Sequence, residues 1–260
     1  MTTRSLRVAP PLALLLLTLL GAPVATAASG AYVALGDSYS SGLGSTTYIA
    51  SSGACKRSRQ SYVFQLGRTL SSFRACAAAT TSDILDHQLK PFPKDTKLVT
   101  VTIGGNDAGF ADVVSSCLFG SASVCATRVD SASKFIRATL PGRLRHAYLA
   151  IRKHAPKATV VVAGYPRLLA GRPCSAAGKI DVASQRLLNT ASDLLAKTIG
   201  TEVRRHLRFR FADVRAAFDG HGVCSSSPWI NGLDGSIASV FHPNPAGYKA
   251  YARAIKVTLG

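Results

Sequence analysis

The run Lys97–Gly104, KLVTVTIG, is the most restrictive stretch of this sequence. It is short, rich in β-branched residues and free of charge after Lys97, with Val99, Val101 and Ile103 on one alternating face and Leu98 beside two threonines on the other, so it reads as a strand covered on both sides. Comparable runs occur at Ala31–Gly36 and Ala158–Gly164, with a shorter and more polar one at Arg208–Ala212 and a weak one at Ser72–Ala77. Between them lie stretches with helical spacing near 58–71, 80–89, 107–116, 127–139, 141–154 and 182–206, and a last one at 245–258. Pro141 and Pro245 suit the first turns of their helices, where a missing N–H costs nothing. Strands of this kind alternating with helices predict a parallel sheet of five strands between two helical layers, an α/β/α domain over 28–260 with no linker dividing it.

Residues 1–27 stand apart. Arg4 and Arg7 precede an apolar run from Leu12 to Leu20, and small residues lead to Ala25-Thr26-Ala27. This is the layout of a cleaved secretory signal peptide, and the run falls short of the roughly 20 residues that span a bilayer. The mature protein is expected to start near Ala28 and to be secreted. Export accounts for six cysteines, an even number, all beyond residue 50. In an oxidising compartment they predict three disulfides; many pairings are possible, and Cys55–Cys76, Cys117–Cys125 and Cys174–Cys224 close the shortest loops. No cysteine pair has zinc-ligand spacing, so no metal is expected.

The formal net charge is +18, with one glutamate, Glu202. Such a surface attracts anions, and peripheral contact with anionic lipid is an expectation from it. The basic residues are scattered and no nucleic-acid motif accompanies them, so specific nucleic-acid binding is not expected. A monomer is expected.

In open parallel sheets ligands sit beyond the carboxyl ends of the strands. After the first strand comes Gly36-Asp37-Ser38, and after the clearest one Gly104-Gly105-Asn106-Asp107. With strand order 2-1-3-4-5 these turns are neighbours. A serine at a strand-to-helix turn can act as nucleophile, and an asparagine amide can donate to an oxyanion. The base is expected to be His242, in FHPNPAGY before a proline-initiated helix, with His221 as the alternative; His87, His146, His154 and His206 read as surface residues. Asp37 and Asp107 read as cap or turn residues. Loops near 42–54, 108–125 and 165–180 are expected to wall the substrate crevice, and Trp229 suits either that wall or the core.

GDS at 36–38, GGND at 104–107 and HP at 242–243 resemble blocks I, III and V of the GDSL/SGNH hydrolases. The cysteines and the segments Gly164–Arg167 and Cys224–Ser227 are similar to those of secreted actinomycete lipases and esterases of that family, with which the sequential disulfides agree. The resemblance implies a flavodoxin-like fold, a cofactor-free serine ester hydrolase, Ser38 as nucleophile and His242 as base. The Ser38 N–H and Asn106 would be oxyanion donors. Two positions depart from the pattern. Ala78 stands where a block II glycine supplies a further oxyanion N–H, and Ser239 stands where an aspartate often precedes the histidine by three residues. Asp234 is the nearest upstream acid. The expectation is a Ser–His pair whose imidazole is oriented by the main-chain carbonyl of Ser239 or Val240. Within this chemistry, lipid acyl esters are the expected substrates, with phospholipase A and acetyl-polysaccharide esterase activity as alternatives. A non-catalytic wall- or lipid-binding protein is the competing reading.

Overall fold

The computed structural model describes Met1, Thr2 and residues 30–260. Apart from Met1 and Thr2, the leader expected over 1–27 and the start near Ala28 lie outside the described residues. Five strands form one sheet: β1 Tyr32–Gly36, β2 Leu70–Phe73, β3 Leu98–Thr102, β4 Thr159–Ala163 and β5 Phe209–Ala212. Their order is β2-β1-β3-β4-β5 and every pairing is parallel. Every residue of β1 and β3 is buried, as doubly covered strands require. The edge strands β2 and β5 are shorter and partly exposed.

The helices are α1 Ser38–Ser41, α2 Thr81–Asp83 (running on into a wider turn over Ile84–Gln88), α3 Phe110–Phe119, α4 Ala122–Ala138, α5 Leu140–His154, α6 Val182–Val203 and α7 Pro245–Leu259. Helix α4 packs against α3, α5 and α6, while α7 packs against β4, β5 and the turn at Tyr62–Gln65. The core runs along the sheet through Val33, Leu35, Val99, Val101 and Val160–Val162 into Leu144, Tyr148 and Ile151 of α5 and Tyr248 and Tyr251 of α7. This is the three-layer α/β/α arrangement.

Three local expectations need correction. The stretch 58–71 is not a helix: only Tyr62–Gln65 forms a short 3₁₀ turn, and β2 begins at Leu70. Serine hydroxyls and main-chain contacts to α1 take the place of helical bonds there, with Ser61 Oγ donating to the Ser40 carbonyl (2.7 Å) and Ser58 N–H to the Ser41 carbonyl (2.8 Å). The weak strand lies at Leu70–Phe73 rather than 72–77. His206 is not a surface residue: its side chain is 9% exposed, with Nε2 3.1 Å from the buried carboxylate of Glu202.

The disulfides are Cys55–Cys76, Cys117–Cys125 and Cys174–Cys224. The first holds the segment after β2 close to the one after α1, which matters for the site below.

Candidate active site

Ser38 opens α1 immediately after β1. Asp37 caps that helix, its Oδ1 accepting the Tyr39 N–H at 3.0 Å. The helix lasts one turn because Gly42 takes a left-handed conformation, φ 100°, which glycine adopts without a Cβ penalty. Ser38 is therefore fixed at the C-terminal edge of the sheet, 5% exposed.

His242 reaches it from the other end of the chain. Asn244 caps α7 by accepting the Gly247 N–H, and Pro245 opens the helix, so the 240–244 segment enters along a fixed path. Phe241 has φ +60°, and its carbonyl accepts the Tyr39 hydroxyl at 2.5 Å. The result places His242 Nε2 2.8 Å from Ser38 Oγ. Nδ1 lies 3.0 Å from the Val240 carbonyl. A carbonyl only accepts, so Nδ1 carries the proton and Nε2 is free to accept from the serine hydroxyl. Burial pushes the imidazole down from 6.5 to about 4, against the raising effect of the Val240 and Ser239 carbonyls.

Of the two carbonyls expected to orient the ring, Val240's does so; Ser239's accepts the His242 main-chain N–H instead, at 3.0 Å. Asp234 is exposed and makes no hydrogen bond to His242. His221 belongs elsewhere, stacked on Trp229 at a centroid distance of 3.5 Å with Nδ1 2.7 Å from the Ser227 carbonyl. Trp229, partly buried, also packs edge-on against Phe218, so it lies against the core and lines neither of the recesses at Ser38.

Candidate donors lie around the same cleft. Ser38, Ala78, Asn106 and His242 all line it. Asn106 Nδ2 gives one proton to the Ala79 carbonyl at 2.9 Å, which fixes the amide and leaves its second proton uncommitted among the described residues. The Ser38 and Ala78 N–H groups likewise have no acceptor among the described residues. Ala78 adopts φ +65°, a left-handed conformation that costs a residue with a Cβ roughly 1–2 kcal/mol. Its departure from glycine is thus tolerated with strain, and the N–H is retained.

Asp37 and Asp107 both act as acceptors for neighbouring elements. Asp107 receives the Thr81 N–H (2.9 Å) and hydroxyl (2.5 Å). Asp37 receives the hydroxyls of Thr102 (2.6 Å) and Tyr165 as well as the Tyr39 N–H. Burial nevertheless raises its carboxyl from 3.8 to about 6, those three donors holding it lower than burial alone would. Tyr165 also accepts the Gly105 N–H at 3.2 Å, tying the turn that carries Asn106 to the cap of the serine helix. Sequence reasoning placed Tyr165 only in a crevice-wall loop and gave it no part in holding the serine helix, although it lies two residues beyond β4, where a search past strand ends would find it.

Two recesses meet at Ser38. One is apolar and narrow, with about 70 Å³ available to the centre of a water-sized sphere; Val113, Ala132, Ile136, Leu188, Ala191 and Leu195 form much of its wall. The other runs past Leu43, Ala111, Leu118, Phe119, Ile237 and Ala238. The loop after α1 contributes Leu43 to it, and the expected 108–125 and 165–180 segments contribute Ala108 to Phe119 and Tyr165 to Leu168. The wall supplied by α4 and α6 was not anticipated. No group of three His, Cys, Asp or Glu among the described residues could hold a metal.

Fold and cleft define a class, a carboxylic ester hydrolase built on the SGNH α/β/α sheet. Residues 34–250 match the profile of the GDSL-like Lipase/Acylhydrolase family, and the chain belongs to it. It is 43% identical to Lipase 1 of Streptomyces coelicolor over 227 residues, 85% of this chain and 83% of the relative. Its structure is similar to that of phospholipase A1 from Streptomyces albidoflavus NA297, with TM-score 0.84 and 40% identity over 89% of this chain and 100% of that one. It is also similar to the extracellular lipase of Streptomyces rimosus, with TM-score 0.82 and 40% identity over 88% and 100%.

Proposed function

We propose that Ser38 and His242 are the catalytic pair of a secreted lipase acting on lipid acyl esters. The observation that carries this is the 2.8 Å contact between Ser38 Oγ and a His242 Nε2 whose other nitrogen is committed to a carbonyl. Ser38 Oγ attacks the ester carbonyl while its proton passes to Nε2, and the carbonyl oxygen becomes an oxyanion facing the Ser38 and Ala78 N–H groups and the Asn106 amide. The imidazolium then protonates the departing alcohol oxygen as the C–O bond breaks. Water repeats the sequence on the acyl-Ser38 ester and releases the acid. The Val240 carbonyl steadies the imidazolium with a dipole in place of a full charge.

The apolar lining of the recess behind Ser38 supports a longer acyl chain over an acetyl group, which would leave most of those side chains untouched. The second recess favours one further reading, phospholipase A activity, because a second chain or a glycerol backbone has room beside Phe119 and Ile237. These two side chains are 65% and 67% exposed. On a chain whose full-length net charge is +18, of which Arg4 and Arg7 of the leader carry two, they suit shallow contact with an anionic lipid surface, which comparison of binding to anionic and zwitterionic vesicles would check. No described helix is long and apolar enough to cross a membrane. The chain works outside the cell as a monomer once residues 1–27 are removed; the extracellular lipase among its relatives supports that location.

The test compares mature protein with Ser38→Ala on p-nitrophenyl esters from acetyl to palmitoyl and on phospholipid. Turnover is expected to fall about 10³-fold or more in the variant. Ester turnover that survives the substitution would remove Ser38 from the chemistry.

A further inference from the structure

The left-handed Ala78 is gripped on both sides. Upstream, Cys76 is bonded to Cys55, its N–H donates to the Gly36 carbonyl at 2.9 Å, and the Ala77 N–H donates to the Cys55 carbonyl at 3.1 Å. Downstream, two adjacent residues of the turn after β3 hold two points of the chain. Asn106 donates to the Ala79 carbonyl at 2.9 Å, and the Asp107 carboxylate accepts both the N–H and the hydroxyl of Thr81. The Asp107 side chain is fully buried; its further partner is the half-exposed Arg143, 3.4 Å away.

This grip is more than helix capping. The N-cap of α2 is Thr80, which already has a reciprocal capping box with Asp83. Asp107 comes from 26 positions further along, in the turn after β3. A carboxylate suits the task because two oxygens can take two donors from one residue, where an amide oxygen and nitrogen cannot. Without that hold, an alanine would relax out of the left-handed region, and its N–H would turn away from the cleft.

We propose that Asp107 is a positioning residue for the oxyanion site, gripping Thr81 so that Ala78 stays left-handed with its N–H turned into the cleft. The proposal rests on the reading that Ser38 is acylated. It makes Asp107 act on the transition state, where the oxyanion exists, and little on substrate binding.

The test is a double-mutant cycle on a soluble short-chain ester. Asp107→Ala is expected to lower kcat about 30-fold with KM changed by less than about twofold, a fraction of the cost of deleting an oxyanion donor. In an Ala78→Gly background the same change should cost only about threefold, because glycine occupies the left-handed region unaided. A loss of equal size in both backgrounds, or one that falls on KM, overturns the proposal. Should Asp107→Ala fail to fold, Asp107→Asn and Thr81→Val are read in the same two backgrounds, each with a smaller loss that shrinks beside glycine. Ser38→Ala in the same assay separates the two readings. If it keeps its turnover, the assignment of Ser38 fails; if it is inactive while the Asp107 variants match wild type, only the positioning role fails.

Discussion

His242 Nδ1 stands 3.0 Å from the carbonyl of Val240, so the ring is oriented by its own main chain two residues upstream and by no carboxylate. Among the described residues nothing with full negative charge hydrogen-bonds the imidazole, and its burial holds it near 4. The acid limb of kcat/KM is therefore expected well below 6.5, towards 4, because the neutral base persists in mildly acid solution. A pH–rate profile checks this, with Asp37→Asn alongside because Asp37 titrates near 6. A midpoint at or above 6.5 would mean that a negative group stabilises the imidazolium.

The same burial links protonation to stability. The folded-state value of His242 lies below the unfolded one, so the unfolded chain binds the proton first as the pH falls. Stability from this group is present above 6.5 and is lost between there and about 4. Asp37 has the opposite sign: raised to about 6, it favours the folded state increasingly as the pH falls from there towards 3.8. The wild type thus hides each effect behind the other. Replacing His242 with Gln should expose it, the variant gaining about 3 kcal/mol on wild type between pH 7 and pH 4. Denaturant unfolding at both pH values measures the gain; a constant difference would show that the histidine is not buried neutral.

Ala132 and Ala191 leave the apolar recess open between α4 and α6. Filling it with Ala191→Trp is expected to lower kcat/KM for a palmitoyl ester about tenfold or more while the acetyl ester changes by less than about threefold, since each excluded methylene forfeits about 1 kcal/mol. The chain-length profile reads this directly. Equal losses on both esters would place the acyl chain elsewhere.

Much of this was legible in the sequence, for identifiable reasons. The strands at 32–36, 98–102 and 159–163 announce themselves because doubly covered strands are uncharged and rich in apolar and β-branched residues. The residues after two of them could be searched for chemistry once the strand order was assumed. The turn at 62–65 was misread because Tyr62, Val63 and Leu66 have helical spacing, yet their burial comes from α7 and from serine hydroxyls distant in sequence. The cavity was missed for a related cause. Leu188, Ala191 and Leu195 look like any buried helix stripe, and only the tertiary arrangement leaves a void in front of them. Ala78 stood out as a missing glycine, but the sequence could not give its φ of +65° or the two residues that hold it.

In the proposed mechanism the reacting groups hang on the ends of β1 and β3 and on the segment before α7, whereas the recess proposed for the acyl chain is walled largely by side chains of α3, α4 and α6. On that reading, reactivity and substrate preference are written on different parts of the chain. Drift in a helix face can retune which acid is released without moving the serine or the histidine. Two members of such a lineage could share every reactive atom and still differ in diet.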